Sequence, residues 1–264
     1  MTRSRLSYRV SPDLSRPPVL LLHGFLGRAS DWDDIATELT PDFHTIAVDL
    51  PGHGESANLP DDCYPIDGCA REIIALLDEL ALAEVGLVGY SMGGRLALYL
   101  AVHYPTRFTR VVLESASPGL RTEDQRKERR EQDNERARKL ESTSLDAFIR
   151  EWYAQPLFTS VASRPELLEQ LIGMRSTGDP NALAKSLRLM GTGDMPSLWD
   201  SLGTLPMPLL CMAGELDPKF AALAREMVVG IPNGHAAIIP DAGHMLHFEQ
   251  PELYIDRVRS FLSA

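Results

Sequence analysis

Ser91 lies inside GYSMGG, Gly89 to Gly94, a G-x-S-x-G pattern with an apolar run before it and helix-forming residues after it. That spacing describes a serine held on a sharp strand-to-helix turn, where small neighbours let the backbone close up. The helix beginning beyond it offers free N–H groups and the positive end of its dipole to a developing oxyanion. A serine hydroxyl becomes a useful nucleophile or base only beside a histidine oriented by a carboxylate. Asp217 in GELDP and His244 in DAGHMLHFEQP follow Ser91 in the chain order such a turn requires, each just past an apolar run. Glu215 and Asp241 stand as alternative acids. Of the seven histidines, His23 and His53 sit in upstream glycine loops and read as structural, His235 opens a strand, and His247 falls in the turn after His244. HGFLG, His23 to Gly27, follows the first apolar run, where a second oxyanion donor belongs. The hole is therefore assigned to the backbone N–H groups of Phe25 and Met92, although a tight turn alone would also account for these glycines.

The elements that must position these groups follow from the hydrophobic pattern. PPVLLLHG, FHTIAVDLPGHGES, VGLVGYSMGG, RVVLESASPG, MPLLCMAGELD and HAAIIPDAGH are short apolar or β-branched runs stopped by glycine or proline, as buried strands should be. A helical pattern runs from Asp67 to Leu80, another follows Ser91 until proline closes it, and PELYIDRVRSFL ends the chain amphipathically. Alternating strands and helices predict an α/β fold with a mostly parallel central sheet covered on both faces. The alternation stops between about Leu120 and Ser201, where only polar or amphipathic helical stretches occur. This predicts a helical lid inserted after the strand ending near Ser115, with residues 1–119 and 202–264 as core and 120–201 as cap.

One stretch of that cap, RTEDQRKERREQDNERARKLE from Arg121 to Glu141, is almost wholly polar. Glu123–Lys127 and Glu135–Lys139 have the i, i+4 spacing that stabilises a solvated helix. Arg126, Arg129 and Arg130 instead crowd like charges at i, i+3 and i+4, so either the helix is simply wet or part of it faces an anion. The whole chain carries 264 residues, 44% hydrophobic, and a net charge of −11, which argues against nucleic acid or an anionic membrane as partner. Three cysteines, Cys63, Cys69 and Cys211, make no metal-ligand pattern, and no cofactor or metal is expected. With no leader pattern and no apolar run near the roughly 18 residues of a membrane span, the expectation is a cytoplasmic protein, for which a monomer would suffice.

Taken together, the elbow, the triad order and the lid resemble the α/β-hydrolase superfamily. ESASPGLRTEDQRKERREQD, FIREWYAQPLF, GMRS and GELDPKF in this order resemble, within it, the 2-succinyl-6-hydroxy-2,4-cyclohexadiene-1-carboxylate (SHCHC) synthase family, of MenH type. The resemblance runs from Pro17 to the C-terminus and implies a lyase of menaquinone biosynthesis acting on a tricarboxylate small molecule. That substrate is 2-succinyl-5-enolpyruvyl-6-hydroxy-3-cyclohexene-1-carboxylate, from which pyruvate is eliminated with Ser91 as base. It further implies that Arg95, Arg129 and Arg175 grip carboxylates and that Tyr90 and Trp152 line the pocket, while Lys219 in GELDPKF also matches. Arg95 follows Ser91 by one helical turn; Arg126 and Arg130 read as surface charges. The alternative function is a serine esterase or C–C bond hydrolase with an acyl-enzyme, which should carry a mainly apolar lid.

Overall fold

In the computed structural model, which describes residues 3–264, seven strands form one sheet in the order β1-β3-β2-β4-β5-β6-β7. These are β1 (Tyr8–Val10), β2 (Pro18–Leu22), β3 (His44–Val48), β4 (Val85–Tyr90), β5 (Phe108–Glu114), β6 (Leu209–Gly214) and β7 (Gly234–Ile239). All neighbours pair in parallel except β1, which runs antiparallel to β3. The inner strands are buried on both faces: β3 and β4 are buried throughout, and Leu20, Leu21 and Leu22 have no exposure. That is why they read as continuous apolar runs rather than alternating ones. β1 has no such signature. All three of its residues are exposed at the sheet edge, and the sequence pattern passes over it.

The chain leaves β2 toward one edge to form β3 and then returns to β2's other side as β4, which pairs Leu22 with Gly89. This reversal is a switch point, and such sheets open a crevice there beyond the carboxyl ends of the strands. The His23–Gly27 loop and Ser91 both emerge at that crevice. α3 (Met92–His103) starts immediately after Ser91 and packs back on the sheet. Gly93 lets it do so: a Cβ there would lie 2.3 Å from the Leu22 carbonyl oxygen and 2.5 Å from that of His23.

Helices α1 (Asp33–Leu39) and α2 (Ile66–Glu79) cover the first half of the sheet. Between β5 and β6 there is no strand among the described residues. Instead come α4 (Glu123–Ser142), α5 (Leu145–Tyr153), α6 (Thr159–Ala162), α7 (Pro165–Arg175) and α8 (Pro180–Leu189). α4 begins in a capping box, with Thr122 accepting from the Gln125 N–H and Gln125 accepting from the Thr122 N–H. It buries only Asp133, Ala137 and Leu140 and packs along α8. α9 (Pro218–Val228), α10 (Leu246–Glu249) and α11 (Pro251–Ser263) complete the chain. No described helix is long and apolar enough to cross a membrane.

Since the atoms a Gly93 methyl would meet are backbone carbonyls that no rotamer change can move, Gly93→Ala should cost about 1–3 kcal/mol. A urea titration checks this, with a lower midpoint at unchanged slope as the expected outcome.

Candidate active site

Ser91 has φ 49° and ψ −103°, a left-handed conformation that L side chains rarely adopt. The elbow sustains it through close packing: a Cβ on Gly89 would lie 2.5 Å from the Gly93 carbonyl oxygen. The strain lifts the hydroxyl off the end of β4 into the crevice. Ser91 Oγ lies 3.2 Å from His244 Nε2, and His244 Nδ1 lies 2.7 Å from Asp217 Oδ2. A carboxylate only accepts, so Nδ1 carries the proton and donates to Asp217, which leaves Nε2 as the acceptor facing the serine hydroxyl. His244 is 1% exposed and Asp217 5%. Asp217 also caps α9, its Oδ1 accepting from the Phe220 N–H at 3.2 Å, so the acid has a fixed direction. Glu215 is exposed, and Asp241 gives its backbone oxygen to Arg164, so neither alternative acid takes the place of Asp217.

The histidine loop has a brace that the sequence reading did not single out. Glu249, buried at the end of α10, accepts from the Gly243 N–H at 2.9 Å and the Met245 N–H at 3.0 Å. One carboxylate thus holds the backbone on both sides of His244. Arg164, just before α7, donates to the carbonyl oxygens of Glu249 and Asp241 and ties the helical segment to the same loop. Phe158, Phe220 and Tyr90 surround the His244 ring with centroids at 5.6, 4.6 and 5.6 Å. Behind Tyr90, His247 donates from Nδ1 to the fully buried Glu114 at 2.7 Å and stacks on Trp32. A glutamate in one strand and a histidine far downstream give no local signal of such a pair.

Phe25 and Met92 both line the cavity above Ser91, and neither N–H donates to another described residue. Leu26, with φ 67°, turns the loop sharply after Phe25. Two histidines hold that turn. His23 donates from Nδ1 to the Gly24 carbonyl at 2.7 Å and accepts from the Leu50 N–H at 3.0 Å. His53 donates to the Pro51 carbonyl at 3.1 Å and accepts from the Leu26 N–H at 3.3 Å. Their structural role is thereby specific: a neutral ring with one donor and one acceptor links the two glycine loops. Burial pushes both rings below the ordinary histidine value of 6.5, although the Gly24 bond and the nearby Asp31 and Asp49 raise His23.

The cavity holds about 690 Å³. Its lining is partly aromatic, through Phe25, Tyr90, Trp152 and Phe158, with Trp152 4.9 Å from Phe25. It is also cationic. Arg95 is 9% exposed, donates to the Met190 carbonyl at 3.2 Å and is lowered to about 10 by burial and by Arg129, so it remains charged at neutral pH. Arg129 lines the same cavity, its Nε 2.9 Å from both oxygens of Asp133. Arg126 and Arg130 lie outside the lining and share Glu123, and they donate to the Leu120 and Gly193 carbonyls respectively. The expected Glu123–Lys127 and Glu135–Lys139 pairs do not form; Glu123 is taken by these arginines, and Lys139 reaches Glu151. Lys219 is exposed at the rim.

Arg175 corrects the sequence expectation. It does not line this cavity. It lies 4% exposed near the Leu26–Arg28 turn, 2.6 Å from Asp31, with its Nε 3.4 Å from Tyr153 Oη and its guanidinium 5.8 Å over the Phe248 ring. Burial opposes its charge, but Tyr153 and Asp31 more than compensate and raise its pKa. Its buried ion pair with Asp31, a partner 144 residues away in the chain, commits it to the packing outside this cavity.

A strained serine after a central strand, an acid after a later strand and a histidine loop after the last one define an α/β-hydrolase site on a parallel sheet. The chain matches the alpha/beta hydrolase family over residues 19–257. A Bacillus subtilis (strain 168) protein provisionally named 2-succinyl-6-hydroxy-2,4-cyclohexadiene-1-carboxylate synthase is 39% identical over 248 residues, 93% of this chain and 90% of its own. The synthase of that name from Serratia proteamaculans (strain 568) is 34% identical, covering 95% and 94%. MenH from S. aureus superposes with a TM-score of 0.92 at 34% identity, covering 97% of each chain. The chain belongs to the alpha/beta hydrolase family and, within it, to the 2-succinyl-6-hydroxy-2,4-cyclohexadiene-1-carboxylate synthases.

Two predictions come from this geometry. Arg175→Ala leaves Asp31 as an unpaired buried charge and should cost about 3–5 kcal/mol, read as a fall in the denaturation midpoint. Any folded fraction should keep its KM. Because the folded pKa values of His23 and His53 lie below 6.5, the unfolded chain binds more protons below that pH, so stability falls as pH drops through 6.5 toward the folded values. The slope should reach about 1.4 kcal/mol per pH unit for each histidine, and His53→Asn should flatten it.

Proposed function

We propose that this protein eliminates pyruvate from 2-succinyl-5-enolpyruvyl-6-hydroxy-3-cyclohexene-1-carboxylate to give SHCHC in menaquinone biosynthesis. Residues 120–201 act as a cap over a core of residues 3–119 and 202–264, the first two residues of the expected core span 1–119 lying outside the described residues, and one chain supplies the whole site. The observation that carries the reading is that Arg95 and Arg129 line one cavity together with Ser91. An esterase acting on neutral substrates gains nothing from two partly desolvated guanidiniums, whereas a trianion requires them. The relatives from Bacillus subtilis and Serratia proteamaculans are named as synthases of SHCHC, which supports the reading.

In the reaction, the Ser91 oxygen takes the proton next to the succinyl ketone as its own proton passes to His244 Nε2, whose Nδ1 stays hydrogen-bonded to Asp217. The C–H electrons form an enolate, and the N–H groups of Phe25 and Met92 receive its oxygen. Collapse of the enolate moves the ring double bond and breaks the C–O bond to the enolpyruvyl group. That group leaves as the enolate of pyruvate and is protonated, while the ring gains a second double bond. No bond to the enzyme forms. Tyr90 and Trp152 supply apolar lining around the ring, and Arg95 and Arg129 hold carboxylates. Buried free thiols at Cys63, Cys69 and Cys211 suit a reducing cytoplasm.

The test is a coupled pyruvate assay with this substrate. Wild type should release one pyruvate per substrate, and Ser91→Ala should be slower by about 10²–10⁴-fold, the usual contribution of a positioned base. Arg129→Ala should raise KM, while p-nitrophenyl acetate hydrolysis stays low in every variant. Strong ester hydrolysis indifferent to Arg129 contradicts the assignment.

A further inference from the structure

With Arg175 buried in its ion pair with Asp31 and outside the cavity lining, Arg95 and Arg129 leave one carboxylate of a tricarboxylate ligand without a guanidinium. We propose that Arg136 binds the third, and that Asp133 is the positioning residue that sets Arg129 and Arg136 as one clamp. The inference rests on the tricarboxylate reading and names a binding contact that the sequence pattern did not single out.

The lining of the cavity by α4 consists of Gln125, Arg129, Gln132, Asp133 and Arg136. Their spacing is that of one helical stripe, the pattern an amphipathic helix turns toward a core, here written entirely in polar residues. Arg129 and Arg136 are seven residues apart, two turns along the same line and about 10.5 Å in rise. Asp133 lies between them, 2% exposed. Its carboxylate accepts from Arg129 Nε at 2.9 Å to each oxygen and from Arg136 Nη1 at 3.0 Å. Gly191 packs against it closely enough that a Cβ there would stand 2.7 Å from Asp133 Oδ2, so the carboxylate has little room to turn.

The choice of atoms matters. Arg129 spends its Nε on Asp133, and Arg136 spends Nη1, so each keeps further N–H donors that no described residue accepts. The Arg136 guanidinium lies 6.0 Å over the Trp152 ring, which itself packs on Phe25 beside Ser91. One buried carboxylate between two arginines leaves the wall positive, and the buried Arg95 adds to it. The other cations at the cavity are worse candidates. Arg121 is paired with Glu226 and stacked 3.5 Å over Trp199, and Lys219 is an exposed ammonium on a flexible stem.

The experiment uses the full chain and the tricarboxylate substrate. In pyruvate release, Arg136→Ala should raise KM about tenfold, the scale of one charge-assisted hydrogen bond, with kcat little changed. Arg136→Lys should recover part of that loss, and Lys219→Ala should leave KM near wild type. In the Ser91→Ala background, calorimetric Kd for the unreacted substrate should rise by the same factor. This arm reads binding without turnover, so it separates failure of the clamp from failure of the proposed reaction. A double-mutant cycle of Asp133→Asn with Arg136→Ala should show coupling, the second change costing less after the first. The Arg136 side chain is about one-third exposed, so these variants should fold even if Asp133→Asn does not. Unchanged KM and Kd in Arg136→Ala, or a tenfold rise in Lys219→Ala alone, overturns the proposal.

Discussion

The site depends on one backbone turn. Ser91 is held at φ 49° because Gly89 and Gly93 let β4, β2 and the first turn of α3 approach to contact distance. Without that approach the hydroxyl would neither project from the sheet nor stand 3.2 Å from His244. The same turn frees the Met92 N–H, and the neighbouring strand β2 ends in the loop that carries Phe25. Strain at one residue thus fixes the direction of the Ser91 hydroxyl, that of the free Met92 N–H, and the place where the Phe25 N–H must be delivered.

Everything else in the core serves to keep parts from different strands aimed at that point. Asp217 is directed by its own helix cap, His244 by Glu249 on both sides, and the Phe25 loop by two neutral histidines. These are backbone-to-side-chain bonds in buried surroundings, where a missing partner is costly and the geometry is correspondingly unique. The helical segment contributes different physics. It brings both aromatic rings (Trp152, Phe158) and guanidiniums (Arg129, Arg136) to the cavity, the combination a flat ring bearing carboxylates calls for.

Much of this was legible in the sequence, and for identifiable reasons. The inner strands announce themselves because burial on both faces forces continuous apolar runs, and the elbow because only glycine tolerates its contacts. Asp217 and His244 sit just beyond such strands, so order and position sufficed. β1 was invisible because an exposed edge strand of three residues has no apolar pattern. Arg175 was misplaced because its partner Asp31 comes from a distant loop, and a single arginine does not declare whether it faces a ligand or a buried acid. Glu249 and the Glu114–His247 pair escaped for the same reason: their partners are set by tertiary packing. In Arg121–Glu141 the crowding of Arg126, Arg129 and Arg130 did not separate them, and it was the family resemblance that singled out Arg129, which lines the cavity; the stripe that includes Asp133 and Arg136 became evident only once the face of α4 toward the cavity was known.

The central claim is that Ser91 takes a proton and never carries an acyl group, although its surroundings are those of an acyl-transfer enzyme. The most direct measurement is the intact mass of the protein, sampled on the millisecond to second scale while it turns over the tricarboxylate substrate. The account predicts an unchanged mass throughout, with pyruvate appearing in step with substrate loss. A transient adduct on Ser91 that forms and decays at the rate of turnover would contradict it.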